Sequence, residues 1–188
     1  MTAPFLHHRL RLAARVIARG GLVAYPTEAV YGLGCDPWNR AAVLRLLALK
    51  RRDPAKGLIL IAARPAQLVP FVESVSPDRM AAILASWPGP NTWLLPARAG
   101  TPDWLRGRFA TLAVRVTDHP LAAGLCLAYG GAIVSTSANV AARAPARAAA
   151  EVRRGLPHGL DLIVTGACGG SDRPSTIRDG RTGRVLRA

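Results

Sequence analysis

Lys50 and Lys56 are the only lysines in a chain that holds 25 Lys and Arg together, and both fall within LALKRRDPAKGLILIA. Arginine supplies every other basic side chain, so these two positions ask for what a planar guanidinium does not give, a compact ammonium on a flexible stem. Such a group commonly holds a phosphate oxygen as a point charge. With Arg51 and Arg52 between them, the segment sets four cations within seven residues, a field that attracts a triphosphate. The same letters also describe a solvated basic helix end, which favours the helix dipole.

Three other segments hold groups fit for binding. Tyr25-Pro26-Thr27-Glu28-Ala29-Val30-Tyr31-Gly32-Leu33-Gly34 follows an apolar run, so its polar groups emerge at a strand end. Gly32 and Gly34 read either as a plain turn or as room for a ligand to approach the backbone. Ser135-Thr136-Ser137-Ala138-Asn139 offers hydroxyls and a carboxamide suited to phosphate or sugar; a capping turn explains it almost as well. Pro174-Ser175-Thr176-Ile177-Arg178-Asp179 is unremarkable alone. No Ser-His-acid arrangement stands out, and the four His are scattered. His7 and His8 sit in a terminal helix, His119 precedes Pro120 at a helix start, and His158 lies in a Pro/Gly turn. Without a His/Cys cluster, no tightly held metal is expected. The Walker phosphate loop is absent too, since Gly57 follows Lys56.

The elements that must carry these groups can be read from periodicity. Residues 4–19 repeat apolar positions at helical spacing (Leu6, Leu10, Ala13, Val16, Ile17) and end at Gly20-Gly21. Leu22 to Tyr25 reads as a buried strand stopped by Pro26. A helix is expected at about 40–50 with Asn39 as its N-cap and Lys50 at its C-terminal end. Further strands are expected at 58–62, 91–97, 111–117 and 132–135, and helices at 65–72, 77–86 (capped by Ser76) and 119–129. Residues 141–149 read as a mobile Ala/Arg loop before a helix near 148–155, and the last strands come from DLIVTG, PSTIRDG and GRVLR. Strands and helices alternate imperfectly, which implies an α/β fold: an open twisted sheet of mixed direction, flanked by helices, in a single domain over 1–188. Ligands in such sheets sit where loops leave the strand ends.

Composition narrows the class. Half of the 188 residues are apolar, as in a folded globular domain. The formal charge of +14 points to nucleic acid, nucleotides or an acidic surface, or equally to an Arg-rich genome, because the arginines are dispersed. Cys35, Cys126 and Cys168 are too widely spaced for a zinc site or a disulfide framework. They imply free, mostly buried thiols in a reducing compartment. Neither a signal peptide nor a membrane span is evident, so a cytoplasmic protein with no membrane partner is expected.

Taken in order, these segments resemble the YrdC family of threonylcarbamoyl-AMP synthases. The marks are Tyr25 to Gly34 (YPTE-x-x-YGLG), Lys50-Arg51-Arg52 (K-x-R), Gly89-Pro90-Asn91-Thr92, Ala113-Val114-Arg115, Ser137-Ala138-Asn139 and Pro174-Ser175-Thr176-Ile177. The length is similar to that of the family's short single-domain bacterial form. The resemblance implies a YrdC-like domain that joins L-threonine, bicarbonate and ATP into threonylcarbamoyl-adenylate and pyrophosphate. It implies Mg2+ as the companion of ATP, and transfer to tRNA next to the anticodon by partner proteins of the TsaB, TsaD and TsaE type.

Carried over by motif, Lys50 and Arg52 become the catalytic cations. Lys56, Thr92, Ser137, Asn139 and Arg187 join them as ATP contacts, and Thr27, Arg115 and Ser175 become threonine contacts. Catalysis is then positioning and electrostatics, with loop 140–149 closing over the site. Two departures stand out: Asp53 intervenes between Arg52 and Pro54, and VAARAPARAAA after Asn139 carries neither Ser nor Gly. Two other classes remain open. A non-catalytic RNA-binding module, with weak tRNA binding, would suit the charge, although the chain shows no aromatic stacking motif. A different carbamoyl-phosphate enzyme, like the hydrogenase-maturation carbamoyltransferases, would ordinarily bring further domains.

Overall fold

The computed structural model describes residues 3–188, with side chains from His7 onward. Helix α1 (Ala3–Ala18) buries Leu10, Ala13 and Ile17, as their spacing requires, and half-buries Val16; the side chain of Leu6 lies outside the described residues. Next come β1 (Val23–Pro26), β2 (Tyr31–Gly34), α2 (Arg40–Lys50), β3 (Ile59–Ala62), α3 (Pro77–Ala85) and β4 (Asn91–Pro96). The chain continues through α4 (Asp103–Arg106), β5 (Thr111–Val116), α5 (Pro120–Tyr129), β6 (Ile133–Ser137), α6 (Ala149–Gly155), β7 (Leu162–Ile163), β8 (Thr176–Asp179) and β9 (Val185–Arg187).

Asn39 caps α2 as expected, its Oδ1 accepting from the Ala42 N–H at 3.0 Å. Two other caps differ. Ser76 stands at the start of α3 without a side-chain bond to the helix. His119 stands at the start of α5, but its Nε2 lies 3.1 Å from the Ala167 carbonyl. The helix expected at 65–72 is a short 3-10 turn, Pro65–Leu68.

Among the described residues the nine strands form one mixed sheet in the order β7-β1-β2-β6-β3-β5-β4-β8-β9. The pairs β1–β7, β3–β5 and β4–β8 are parallel and the rest antiparallel. Strand β2 is the main surprise, because its two glycines read as a turn. Tyr25 supplies the reason. It faces Gly32 across the β1–β2 ladder, and a Cβ on Gly34 would come within 2.8 Å of its ring and 2.7 Å of the Val134 carbonyl. The glycines make room for a buried aromatic ring in the sheet.

The sheet divides the core in two. Leu33, Leu60, Val114, Val116 and Val134 pack on one face with Val43, Leu46 and Leu47 of α2 and with Ile83, Trp87 and Phe71. On the other face Val23, Tyr25, Ile61 and Ile133 meet Leu10, Ala13 and Ile17 of α1 and Leu125 of α5. Cys35 and Cys126 are buried, Cys168 is partly exposed, and all three are free thiols. Among the described residues no helix is long and apolar enough to cross a membrane.

Candidate active site

Helices α1 and α5 cover only part of their face, and the remainder is the floor of a cleft of about 430 Å3. Register shows which side chains share that floor. Ser135 is paired with Ile59, Ile59 with Ala113, Ala113 with Leu94, and Ile177 with Arg187. Side chains alternate between faces along a strand, so Ser137, Thr111 and Arg115 project with them. All of these line the cleft. The site therefore lies across a sheet face, and not only at the loop ends expected from the fold class. Its volume is in the range of small-ligand sites. Six cationic side chains line it, against the single carboxylate of Glu28.

One end gathers around the start of β3. Arg52 and Lys56 line the cleft there, with Ser137. Arg52 Nη2 donates to the Gly57 carbonyl at 2.9 Å, and its Nε is buried without a partner. Burial lowers the Arg52 pKa, while neighbouring Asp53 opposes that shift. The Lys56 side chain is exposed and has no hydrogen-bond or ion-pair partner among the described residues. Asp53, one of the departures from the family pattern, makes no ion pair with Arg52. Its Oδ1 instead caps the 3-10 turn Pro54–Lys56, accepting from the Ala55 N–H at 2.9 Å.

Lys50 is placed differently from the phosphate-holding role expected of it. It is 3% exposed and is absent from the cleft lining. The left-handed Arg51 (φ 50°) ends α2, and Lys50 lies on the buried face of that helix with Val43, Leu46 and Leu47. Its Nζ donates to the carbonyls of Ser137 and Asn139, the latter at 2.9 Å, and to Asn139 Oδ1 at 3.2 Å. All three ammonium donors are thus committed. Burial and then the Arg52 charge lower its pKa to about 8.

Asn139 is equally committed. Its Oδ1 also accepts from Ser137 Oγ at 2.5 Å, and its Nδ2 donates to the carbonyls of Val140 and Arg143 at 3.0 and 2.7 Å. Of this motif only Ser137 reaches the cleft. The segment 140–149, expected to be a mobile lid, is tied down. The Ala141 N–H donates to the Lys50 carbonyl at 2.8 Å, the buried Ala146 donates to the Ala138 carbonyl at 3.1 Å, and the Ala146 carbonyl accepts from Tyr31 N–H at 2.7 Å.

The opposite end gathers around Arg115, four residues from Thr111 on the same strand, a rise of roughly 13 Å. Arg115 Nη1 lies 2.6 Å from Glu28 Oε1, which also accepts from Thr117 Oγ1 at 2.6 Å. Burial favours the neutral acid at Glu28, but the Arg115 charge and the two hydrogen bonds outweigh it and lower the pKa to about 2. Thr27 lines the cleft with its hydroxyl donating to the Val30 carbonyl at 2.7 Å, leaving its lone pairs free to accept. One step beyond the Trp93–Val114 pair, Thr92 stands beside Arg115. Thr92 is fully buried, and its hydroxyl meets Ser175 Oγ at 2.8 Å; Ser175 lines the cleft. Arg187 lines it too, with Nη2 on the Ser175 carbonyl at 2.8 Å.

Of the ten expected site residues, the structure brings Thr27, Arg52, Lys56, Arg115, Ser137, Ser175 and Arg187 to one cleft. Lys50, Asn139 and Thr92 stand directly behind it. Sequence reasoning gave no role to Glu28 or to Arg173, which also lines the cleft. The YPTE motif flagged Glu28, but its partner lies 87 residues away. Arg173 carried no signal beyond its place before Pro174-Ser175.

Comparisons with known proteins find relatives along nearly the whole chain. The family model Sua5/YciO/YrdC, described as telomere recombination, matches residues 15–188. Threonylcarbamoyl-AMP synthase of Halorhodospira halophila is 56% identical over 186 residues, covering 99% of this chain and 96% of that protein. The protein of the same name from Alkalilimnicola ehrlichii is 57% identical over 183 residues, covering 96% and 95%. The crystal structure of P. abyssi Sua5 complexed with L-threonine superposes with a TM-score of 0.87 at 31% identity, over 92% of this chain and 51% of that one. A match that runs from the last turn of α1 through β9, across every strand that floors the cleft, shows that this chain belongs to the Sua5/YciO/YrdC family.

Proposed function

We propose that this chain is a threonylcarbamoyl-AMP synthase, joining L-threonine, bicarbonate and ATP. The observation that carries the reading is one cleft with two chemically different ends on an apolar floor. Arg115, Thr27 and Ser175 suit the carboxylate and polar groups of a small amino acid. Arg52, Lys56 and Ser137 suit a triphosphate, while Arg187, with Nη2 on the Ser175 carbonyl, and Arg173 add positive charge on the Ser175 side of the cleft. Relatives of this name at more than half identity support it, as does a family member complexed with L-threonine.

In this reaction the threonine amine takes up bicarbonate with loss of water and becomes a carbamate. A carbamate oxygen attacks the α-phosphorus of ATP, the bond from that phosphorus to the bridging oxygen breaks, and pyrophosphate leaves with the electron pair. Two anions must meet, so the protein's contribution is charge neutralisation and alignment. Arg52 and Lys56 are placed for that work. Lys50 acts from behind, fixing the Ser137–Asn139 turn. Mg2+ is assigned to the ATP complex and not to a resident site, because the one carboxylate lining the cleft is committed to Arg115. The product would pass to tRNA-modifying partners of the TsaB, TsaD and TsaE type in the cytoplasm, and any weak tRNA binding would fall to the basic surface.

The test is to incubate the protein with ATP, Mg2+, bicarbonate and single amino acids, following pyrophosphate and the adenylate mass. Product that requires both threonine and bicarbonate is expected. Folded protein that forms no adenylate with any amino acid would reject the reading and favour the RNA-binding class, which a salt titration with tRNA would then expose.

A further inference from the structure

The contact between Glu28 and Arg115 is built in an uncommon way. A guanidinium and a carboxylate frequently lie fork to fork, with two parallel hydrogen bonds. Here a single Nη1–Oε1 contact of 2.6 Å is made, while Glu28 Oε2 and Arg115 Nε are both buried without a partner. Each such orphan carries an unreturned desolvation cost, and a buried ion pair is in any case a poor source of stability. Something other than stability sets this skewed geometry.

The surroundings show what fixes it. The Thr117 hydroxyl holds Oε1 at 2.6 Å, and its own oxygen accepts from the His119 N–H at 3.2 Å, so its direction is set. The backbone of Glu28 is held from the other side, its carbonyl accepting from the Ser171 N–H at 2.9 Å, while the Thr27 carbonyl accepts from Gly169 N–H at 3.0 Å. With Nη1 on Glu28 and Nε sealed, Nη2 is the guanidinium nitrogen of Arg115 with no assigned contact in a residue that lines the cleft.

We infer that Glu28 is a positioning residue: anchored by Thr117, its carboxylate rotates the Arg115 guanidinium so that Nη2 alone meets the carboxylate of the amino-acid substrate. A fork-to-fork pair would turn Arg115 away from the cleft, and an unpaired Arg115 would be free to reach toward ATP phosphates. Glu28 thus separates the amino-acid end from the phosphate end of a cleft that is otherwise cationic. The inference rests on the synthase reading for its substrate, but the held guanidinium is a property of the protein alone.

The test has two readouts. The first is the Arg115 side-chain Nε–H resonance in nitrogen-15 NMR, assigned by its loss in Arg115→Lys. Slow exchange with water is expected in the native protein and fast exchange in Glu28→Gln. The second is steady-state kinetics. Glu28→Gln should raise the KM for threonine about tenfold, a change of the size that one hydrogen bond to a charged group controls, with the KM for ATP unchanged. Thr117→Val should move both readouts the same way but less, and should add little in the Glu28→Gln background, because the two act through one contact. Unchanged Nε–H exchange in Glu28→Gln, or equal rises in the two KM values, would overturn the inference. Absence of threonine-dependent product in the native protein would reject the synthase reading instead, and the resonance would still report whether Glu28 holds Arg115.

Discussion

The two ends of the cleft differ in how far their buried polar atoms find partners: behind the phosphate end a closed network surrounds Lys50 and only Arg52 Nε is left over. Around Lys50, the three ammonium donors and the Asn139 carboxamide are matched with acceptors and donors of the chain itself. Around Arg115, Glu28 Oε2 and Arg115 Nε are left over. A network that satisfies itself is scaffold, and it rigidifies the turn that carries Ser137. Buried groups left without partners ask for a reason beyond stability. On the proposed reading, the phosphate end takes its shape from this closed network and its charge from Arg52 and Lys56, which line the cleft. At the proposed amino-acid end one single-pronged contact, Glu28 with Arg115, supplies both shape and charge. A cation singled out by rarity need not be one that lines the cleft.

The sharpest way to break this comparison is Lys50→Ala. If Lys50 is scaffold, its loss takes the ammonium donor from the Asn139 carbonyl and leaves the Ser137 carbonyl with only the Asn139 N–H at 3.0 Å, at about 1–3 kcal/mol for a group left without a donor. The denaturant midpoint should fall accordingly, and adenylate formation should fall with it by at least a hundredfold as Ser137 loses its place. Lys50→Arg should not restore either, because a planar guanidinium cannot serve three converging acceptors. Unchanged stability with abolished turnover would return Lys50 to direct phosphate contact.

A smaller effect separates the ends by pH. Glu28 has a pKa lowered to about 2, below its ordinary 4.5, so the unfolded state binds its proton first. Its contribution to stability is complete above about pH 4.5 and is lost as pH falls toward 2. Asp118 beside it is raised by burial and by Glu28, so it works the other way, binding its proton more tightly in the folded protein and gaining stability as pH falls. Denaturant midpoints across this window should slope less in Glu28→Gln than in the native protein. Parallel slopes would mean that the Glu28–Arg115 contact adds nothing on folding.

How far the sequence reaches differs between these ends for physical reasons. Asn39 was legible as a cap because its whole mechanism fits within three residues. The strands 59–62 and 111–116 were legible because apolar β-branched runs have few alternatives. Lys50 was legible as unusual, since arginine had been used everywhere else. Its partners were not, because they lie 87 and 89 residues away and are backbone carbonyls, which every residue has. The contact of Glu28 with Arg115 is hidden in the same way, since each belongs to a recognisable motif and only the folded sheet brings the motifs together. Strand β2 was obscured by a local rule that holds for isolated segments. Two glycines in four residues signal a turn unless an aromatic ring lies over them, and Tyr25 does.

The smallest expected effect sharpens the phosphate end. Asp53 looked from sequence like a negative charge set against the cations, either weakening their pull or orienting Arg52. In the fold it is exposed and caps the turn Pro54–Lys56 through the Ala55 N–H. Removing a cap of this kind costs about 1 kcal/mol. Asp53→Ala should therefore lower the denaturant midpoint slightly and leave the KM for ATP within about a factor of two. Asp53→Ser, which keeps an acceptor at the cap but no charge, should restore the midpoint. These two variants divide cap from charge. If Asp53 acts on the cations, both should tighten ATP equally, because both remove the carboxylate; if it acts on the turn, only the alanine should differ from the native protein, and only in stability.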